Sequence, residues 1–479
     1  MDSIDRQKPQ NEVIGRERRD LAHLTRHGNG PSVSSRWILL IAGEAVALGF
    51  LLLPDARHNL LAYLLLLLAG SLVSLRAARS LSASGPGFLL LCGGLFRATL
   101  LLRAPDLSED VHRYLWDGRV ARAGVSPYAY APEDPAVSAI APQILSRLAH
   151  RDIRSVYPPA AQAVFRIFGG GGIVCLKAVF AAADLSVVAL LSNAGGPGAA
   201  FGAALYAFHP LPITETAGQG HLDSLGVALL LASLAHLARN RKAVAGVALA
   251  MSVLTKSISL AGAIPIFRRG RAALLVSFAL STACLWLAAS SPGASPAGGI
   301  GQYATRWSFN SPLYAPTVRL MEASDLPQRS KAEFLVLKER LHHPAWTQKV
   351  FPFFYTAFFA RVLLAFVLAA VLLLIAWRGR GLEESVFASL AALLLLSPTL
   401  HPWYLLWVLP FAAKRGEPAF LYLSFLVPLS YTLLYPIPPI PRVWPSLVFV
   451  LEFVPFGVLL SRSLWLSRRA RGRAAEATA

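Results

Sequence analysis

The chain has 479 residues, 55% of them apolar and only 15% charged, against roughly 25% charged in an ordinary soluble protein. Together with a mean hydropathy of +0.51, this excludes a disordered chain, a small disulfide scaffold and a water-soluble enzyme, and makes a bilayer the suitable solvent. The net charge of +19 does not point to nucleic acid, because it is scattered rather than gathered into one patch.

Taken in order, residues 1–35 are a polar, basic tail with no cleavable signal peptide. Apolar runs long enough to enter a membrane follow at about 37–53, 59–75, 86–102, 172–191, 198–212, 220–238, 272–289, 355–377, 384–398, 402–413, 418–435 and 443–461. These predict an all-α polytopic membrane protein with about 12 spans. Two stretches do not fit simple spans. Residues 159–168 are cut off by Gly169–Gly172, and 243–267 is interrupted at Thr255-Lys256-Ser257. Short re-entrant helices are expected; 243–267 reads as a re-entrant hairpin or two short helices with Lys256 at the outward tip, and broken helices are tolerated at membrane depth where they line a cavity. The basic clusters Arg76/Arg79, Arg239/Arg241/Lys242, Arg268/Arg269/Arg271, Arg378/Arg380, Lys414/Arg415 and Arg462–Arg473 alternate with the spans. The positive-inside rule then places both tails, 1–35 and 468–479, in the cytoplasm. It places long loops at 103–158 and 291–352 outside, around one transmembrane domain over 36–467. There is no internal repeat. Cys92, Cys175 and Cys284 each lie in an apolar run without paired spacing, so neither a disulfide framework nor a zinc site is implied.

The first outer loop opens with Asp106-Leu-Ser-Glu-Asp-Val-His-Arg-Tyr-Leu-Trp-Asp-Gly118. Ser108 suits a helix cap and Glu109 and Asp110 suit the first turn. Asp110, Arg113 and Asp117 recur on one face, with Leu107, Val111, Tyr114 and Gly118 on an adjoining apolar one. The pattern predicts an amphipathic helix at the membrane surface, ended by Gly124. From spacing alone, the charged face also reads as carboxylate–arginine pairs that merely solvate the helix.

Charges inside spans are expensive, about 2.5–3.5 kcal/mol each at a helix centre, so each is a candidate. Lys256 sits at a helix break. His221 and Asp223 lie in Gly218-Gln-Gly-His-Leu-Asp-Ser224, near Glu215, and His401-Pro-Trp-Tyr404 lies at another outer end. Lys177 and Asp184 share a helix face and suit interhelix pairing, and Glu44, Arg97 and Glu452 suit structural roles. No ligand cluster argues for a metal, and no cofactor is called for.

The motifs Glu109-Asp-Val-His-Arg-Tyr-Leu-Trp-Asp-Gly118, Gly124-Val-Ser-Pro-Tyr128, Tyr157-Pro-Pro159, Gly220-His-Leu-Asp223, Leu254-Thr-Lys256, Phe309-Asn-Ser-Pro312 and Ser397-Pro-Thr-Leu-His-Pro-Trp-Tyr404 run in one order between about residues 90 and 410. In that order they resemble the GT-C superfamily of integral-membrane glycosyltransferases, close to glycosyltransferase family 87 and the polyprenyl-phosphate-mannose-dependent mannosyltransferases. The resemblance implies transfer of a hexose, mannose first, from a polyprenyl-phosphate-linked sugar to a hydroxyl of a glycan or glycolipid. It places the active site on the outer face of the cell membrane. It carries the role of base onto Asp110, with Asp117 as second candidate. Two spans before the catalytic loop's own span depart from many relatives. A lipid-phosphate sugar brings its own leaving group, so one carboxylate base suffices for an inverting displacement. Cations or hydrogen-bond donors must meet the phosphate: Arg113, Lys256, His221 and His401 are candidates, with Tyr114, Asp223 and Tyr404 as further substrate contacts. Arg113 and the helix N-terminus are expected to keep Asp110 ionised at neutral pH. The alternatives are a transporter or flippase for a lipid-linked glycan, which would spread polar residues through the depth of several spans, and a polysaccharide polymerase or ligase, which would favour an arginine-rich outer loop.

Overall fold

The computed structural model describes residues 33–476 apart from 270, 292, 298, 379–380 and 436–440. Most of the basic tail 1–35 and the last three residues lie outside the described residues. Within them the protein is all-helical, with no strand and two isolated bridges.

Among the described residues, six helices are long and apolar enough to cross a membrane, which fits a multi-pass membrane protein. They are α1 (Val33–Leu52), α2 (Leu60–Leu81), the run Pro159–Ser192, α11 (Ala272–Ala289), α15 (Thr356–Trp377) and the apolar part of α19 (Trp444–Glu476). A seventh is a pair bent by 119°, in which Pro210–Gly218 meets α8 (Asp223–Ala238). The run Pro159–Ser192 consists of α5 (Pro159–Phe168), one 3-10 turn at Gly169–Gly171, and α6 (Gly172–Ser192). The interruption expected at the glycines is thus present, but as a break within one apolar run.

Shorter helices complete the bundle: α3 (Pro86–Leu101), α7 (Ala199–Phe208), α9 (Lys242–Thr255), α10 (Ser259–Arg269), α16 (Leu382–Leu396), α17 (Leu409–Arg415) and α18 (Pro418–Leu426). The stretch 243–267 breaks at Lys256, which is extended (φ −154°, ψ 127°) between α9 and α10. The loop 291–352 is itself largely helical, with α12 (Ile300–Arg306), α13 (Tyr314–Ser324) and α14 (Leu326–Arg340).

The charges carried inside are matched by distant partners. Arg97 donates to Asp184 at 2.6 Å, and Tyr206 and Ser224 also donate to that carboxylate. Lys177 gives its protons to the carbonyls of Leu100, Leu101 and Arg103, capping the C-terminal end of α3. Thr99 donates to Glu44 and Asn310 to Glu452. Each expected structural partner is therefore accounted for, since a charge stays buried only when paired and hydrogen-bonded.

The loop 103–158 forms α4 (Asp110–Arg122), which ends before Gly124 in the left-handed region (φ +83°). The helix differs from the surface-lying amphipathic one expected. Val111, Tyr114, Leu115, Trp116, Asp117, Gly118 and Val120 are all buried and run around its circumference. One side packs on α5 and α6 through Tyr114, Phe165 and Phe180. The other packs on Val137, Ala141 and Leu148 of the same loop. The close packing depends on Gly118, where an added Cβ would sit 2.3 Å from the Phe165 carbonyl oxygen. Because that neighbour is backbone, Gly118→Ala must push α4 away from α5. We expect it to cost about 1–3 kcal/mol through overpacking, seen as a lower unfolding temperature in detergent. Gly87→Ala on α3, where a Cβ meets nothing within 4 Å, should leave that temperature unchanged.

Candidate active site

Asp110 begins α4, its amide donating to Ser108 Oγ at 3.2 Å, so Ser108 serves the helix start as expected. The side chain of Asp110 opens into a cavity of about 520 Å³. From the sequence candidates, Asp110, Arg113, Lys256, His401 and Tyr404 share its wall. These residues are spread over nearly 300 positions and come from α4, the α9–α10 break and the segment that follows α16. Leu107, Ile258, Leu393, Leu394 and Leu434 make an apolar part of the same wall, and Tyr157, Tyr303, Trp307 and Trp403 an aromatic part.

Lys256 lies where α9 stops, and its ammonium meets both oxygens of Asp223 at 2.7 Å. Asp223 is fully buried and also accepts from Trp407 Nε1 at 2.7 Å. Two of the three ammonium protons are thus engaged. The ammonium sits 4.5 Å above the Tyr404 ring, which favours a cation. Tyr404 in turn exchanges a 2.5 Å hydrogen bond with Tyr303.

Asp110 and Asp117 are separated by their surroundings. Asp117 is 1% exposed. It accepts from Arg113 Nε at 2.9 Å, Ser155 Oγ at 2.5 Å and Gln162 Nε2 at 2.8 Å. A carboxylate with its lone pairs so occupied anchors α4 to the segment before α5. The side chain of Asp110 is 37% exposed. Burial, reinforced by Asp223 and Glu109, pushes its carboxyl up to about 6, against the opposing pull of Lys256 and Arg113. Arg113 does pull toward the carboxylate, but burial works against it. The Arg113 Nε–H is spent on Asp117, and removal from water outweighs both cations.

The remaining candidates fall elsewhere. Tyr114 is fully buried and stacked on Phe165 at 4.6 Å, with Tyr157 and Phe180 at its edges. It packs α4 to its neighbours and does not line the cavity. His221 is fully buried behind Asp110, its Nδ1 3.6 Å from Asp110 Oδ2. Its ring stacks on Trp403 at 3.8 Å, Trp403 on His401 at 4.4 Å and His401 on Phe309 at 4.8 Å. Burial and the neighbouring Lys256 push His401 down to about 3, so it is neutral and offers the site a hydrogen-bonding ring but no charge. This stack also explains Phe309-Asn-Ser-Pro312: Phe309 pairs by backbone with Pro398 and Leu400, joining the two late motifs.

Sequence reasoning missed Tyr303 and Trp307. Tyr303 and Trp307 stand just before Phe309 but in no pattern that marks a site. Among the described residues, no three His, Cys, Asp or Glu side chains group as a metal would need.

Residues 58–267, a little under half of the chain, match the family described as alpha-(1->6)-mannopyranosyltransferase, N-terminal domain (MptA_B family). The matched family is of the GT-C mannosyltransferase type. The matched segment contains Asp110, Arg113, His221, Asp223 and Lys256, and the match bears out the resemblance drawn from the motifs and the enzyme class, a glycosyltransferase. No curated protein matches the chain.

A base with its carboxyl near 6 is proton-free above that pH and protonated below it. Sugar transfer that depends on Asp110 should therefore fall about tenfold per pH unit below 6, not below 4 as for an ordinary aspartate; a pH profile of kcat/KM measures this. Asp117→Asn should lower the unfolding temperature, because it replaces an acceptor of three hydrogen bonds with a group that can accept fewer.

Proposed function

We propose that the mannosyltransferase moves mannose from a polyprenyl-phosphate donor to a hydroxyl of a glycan or glycolipid in one inverting step, with Asp110 as base. The observation that carries this reading is the shared cavity, where Asp110 meets the cations Lys256 and Arg113 beside an apolar wall and an aromatic one. The acceptor O–H gives its proton to Asp110 while its oxygen bonds to the anomeric carbon. The bond from that carbon to the phosphate oxygen breaks, and its electron pair stays on the phosphate. Lys256 has one ammonium proton left after Asp223, and Arg113 keeps its two terminal nitrogens, so both can meet the growing phosphate charge. Leu393, Leu394, Leu434 and Ile258 suit the donor's prenyl chain. Tyr303, Trp307 and Tyr157 suit the flat faces of sugars. Asp117 is left a positioning role.

The sidedness belongs to the same proposal. Asp223 pairs with Lys256 of the cavity wall, and Ala238, the other end of α8, lies about 22 Å away along a helix. Ala238, Arg239, Asn193, Glu383 and Lys414 line a second, smaller cavity at that far end. The basic clusters Arg239/Arg241/Lys242 and Lys414/Arg415 therefore share an end remote from Asp110, which supports an outer, extracytoplasmic face for the site in the cell membrane and cytoplasmic tails. We propose that the shorter apolar helices complete the roughly 12 spans.

The direct test is mannose transfer from polyprenyl-phosphate mannose to octyl mannoside by the purified protein. Asp110→Asn should reduce turnover by about 10²–10⁴-fold, the usual contribution of a general base, with donor binding retained. Near-normal turnover in Asp110→Asn would overturn the mechanism. Lys256→Met should weaken donor use more than Lys256→Arg. Cysteines placed at Ser138 and Ser330 should react with an impermeant thiol reagent in intact cells; labelling of either only after permeabilisation would reverse the sidedness.

A further inference from the structure

Behind the cavity is a second, buried carboxyl group that the transfer chemistry does not use. Glu215 lies in the wide π turn Ile213–Gly218, an irregularity that recurs at functional sites. That turn folds the chain back on itself, with the His221 amide donating to the Glu215 carbonyl at 2.9 Å. The two side chains are thereby brought side by side, with His221 Nε2 3.5 Å from Glu215 Oε2. On the other edge of the ring, Nδ1 faces Asp110 Oδ2 at 3.6 Å. Both side chains, His221 and Glu215, are fully buried. Neither ring nitrogen has a closer partner among the described residues, and the Trp403 stack fixes the plane of the ring.

The polar partners of Glu215 are Tyr431, whose hydroxyl lies 2.9 Å from both carboxyl oxygens, and His221. No Lys or Arg pairs with it among the described residues. A buried carboxyl without a cation holds its proton. Tyr431 donates to both of its oxygens, and Oε2 is the one that faces His221 Nε2, at 3.5 Å. A proton carried on Oε2 would face Nε2, which places the hydrogen of the neutral imidazole on Nδ1. Nδ1–H then points at Asp110. Catalytic hydrogen bonds of this length often tighten only as substrate binds.

We propose that Glu215, as a neutral acid, and His221, as the tautomer it selects, are positioning residues that hold Asp110 Oδ2 and turn Oδ1 toward the acceptor hydroxyl. This rests on Asp110 being the base. It differs from a phosphate-binding role for His221, which the burial of that ring behind Asp110 disfavours. The other charged groups acting on Asp110 are Lys256, Asp223, Arg113 and Glu109. The variants below leave all four in place.

The test uses the full-length protein with polyprenyl-phosphate mannose and octyl mannoside. Glu215→Gln keeps a donor for Nε2 and should retain turnover within about twofold. Glu215→Met removes the donor and should lower kcat about tenfold or more with both KM values little changed, the magnitude of a one-unit change in proton affinity. His221→Phe keeps the stack on Trp403 and removes Nδ1–H, a donor that favours the carboxylate. It should lower kcat similarly and move the acid limb of the pH profile upward by about one unit. Adding Glu215→Met to His221→Phe should cost nothing more, because the two act as one unit. Loss of turnover in Glu215→Gln equal to that in Glu215→Met would overturn the proposal, as would an unmoved acid limb in His221→Phe. If Asp110→Asn retains turnover, the base itself is wrong; if Asp110→Asn is inactive while both limbs and rates of the Glu215 and His221 variants match wild type, only the positioning pair is wrong.

Discussion

Lys256 stands where a helix breaks, and its ammonium is clamped by both oxygens of a fully buried aspartate, Asp223, which begins another helix. The site depends on this pair. Breaking a buried pair by removing one member typically costs about 3–5 kcal/mol, because the other charge is stranded. The end of α9 and the start of α8 are therefore tied together at the depth of the cavity. Trp407 adds a third tether, donating to Asp223 while its ring packs over Gly226 on α8. One charged proton of Lys256 is left over, and it faces the cavity above Tyr404. The pair that holds the bundle together thus also presents the cation that the proposed donor phosphate would meet.

The two aspartates of α4 show how surroundings divide chemically identical groups. They stand two helical turns apart. Asp117 is closed in by Arg113, Ser155 and Gln162 and serves to hold the helix. Asp110 meets no such set of donors, opens into the cavity, and keeps its proton to a higher pH. Arg113 mediates the division, since its Nε–H goes to one carboxylate and leaves the other more basic. A carboxyl near 6 is still mostly proton-free at neutral pH, yet binds a proton more tightly than an ordinary aspartate, which is the compromise the proposed general-base role would favour.

The aromatic residues supply the frame. His221, Trp403, His401 and Phe309 form one continuous stack drawn from three distant segments. Tyr303 and Tyr404 join the second long loop to the segment after α16. Planar rings packed face to face have little freedom to turn, so the stack itself fixes the polar edges of the two histidines.

By itself the sequence determined the class of molecule. Low charge, long apolar runs and dispersed basic clusters leave only a polytopic helical membrane protein, because those quantities act additively along a chain and need no contacts to be read. The break at Lys256, the end of α4 at Gly124 and the structural pairing of Arg97, Lys177 and Asp184 were legible for a local reason: a helix has a fixed period, and a buried charge must find a partner. The motifs also singled out Asp110, Lys256, His401 and Tyr404, which do share a cavity. What only the tertiary structure decided is how each residue is used. That α4 is enclosed on several sides, that Tyr114 faces the core, that Asp117 is saturated and that His221 stands behind Asp110 all follow from which distant segment lies alongside. The rise of the Asp110 carboxyl comes from burial by such segments, and the local cation and helix end, which are all the sequence displays, pull the other way. Tyr303 and Trp307 were invisible for the same reason: they reach the site only because the second loop folds over it, and nothing in their own stretch of chain records that contact.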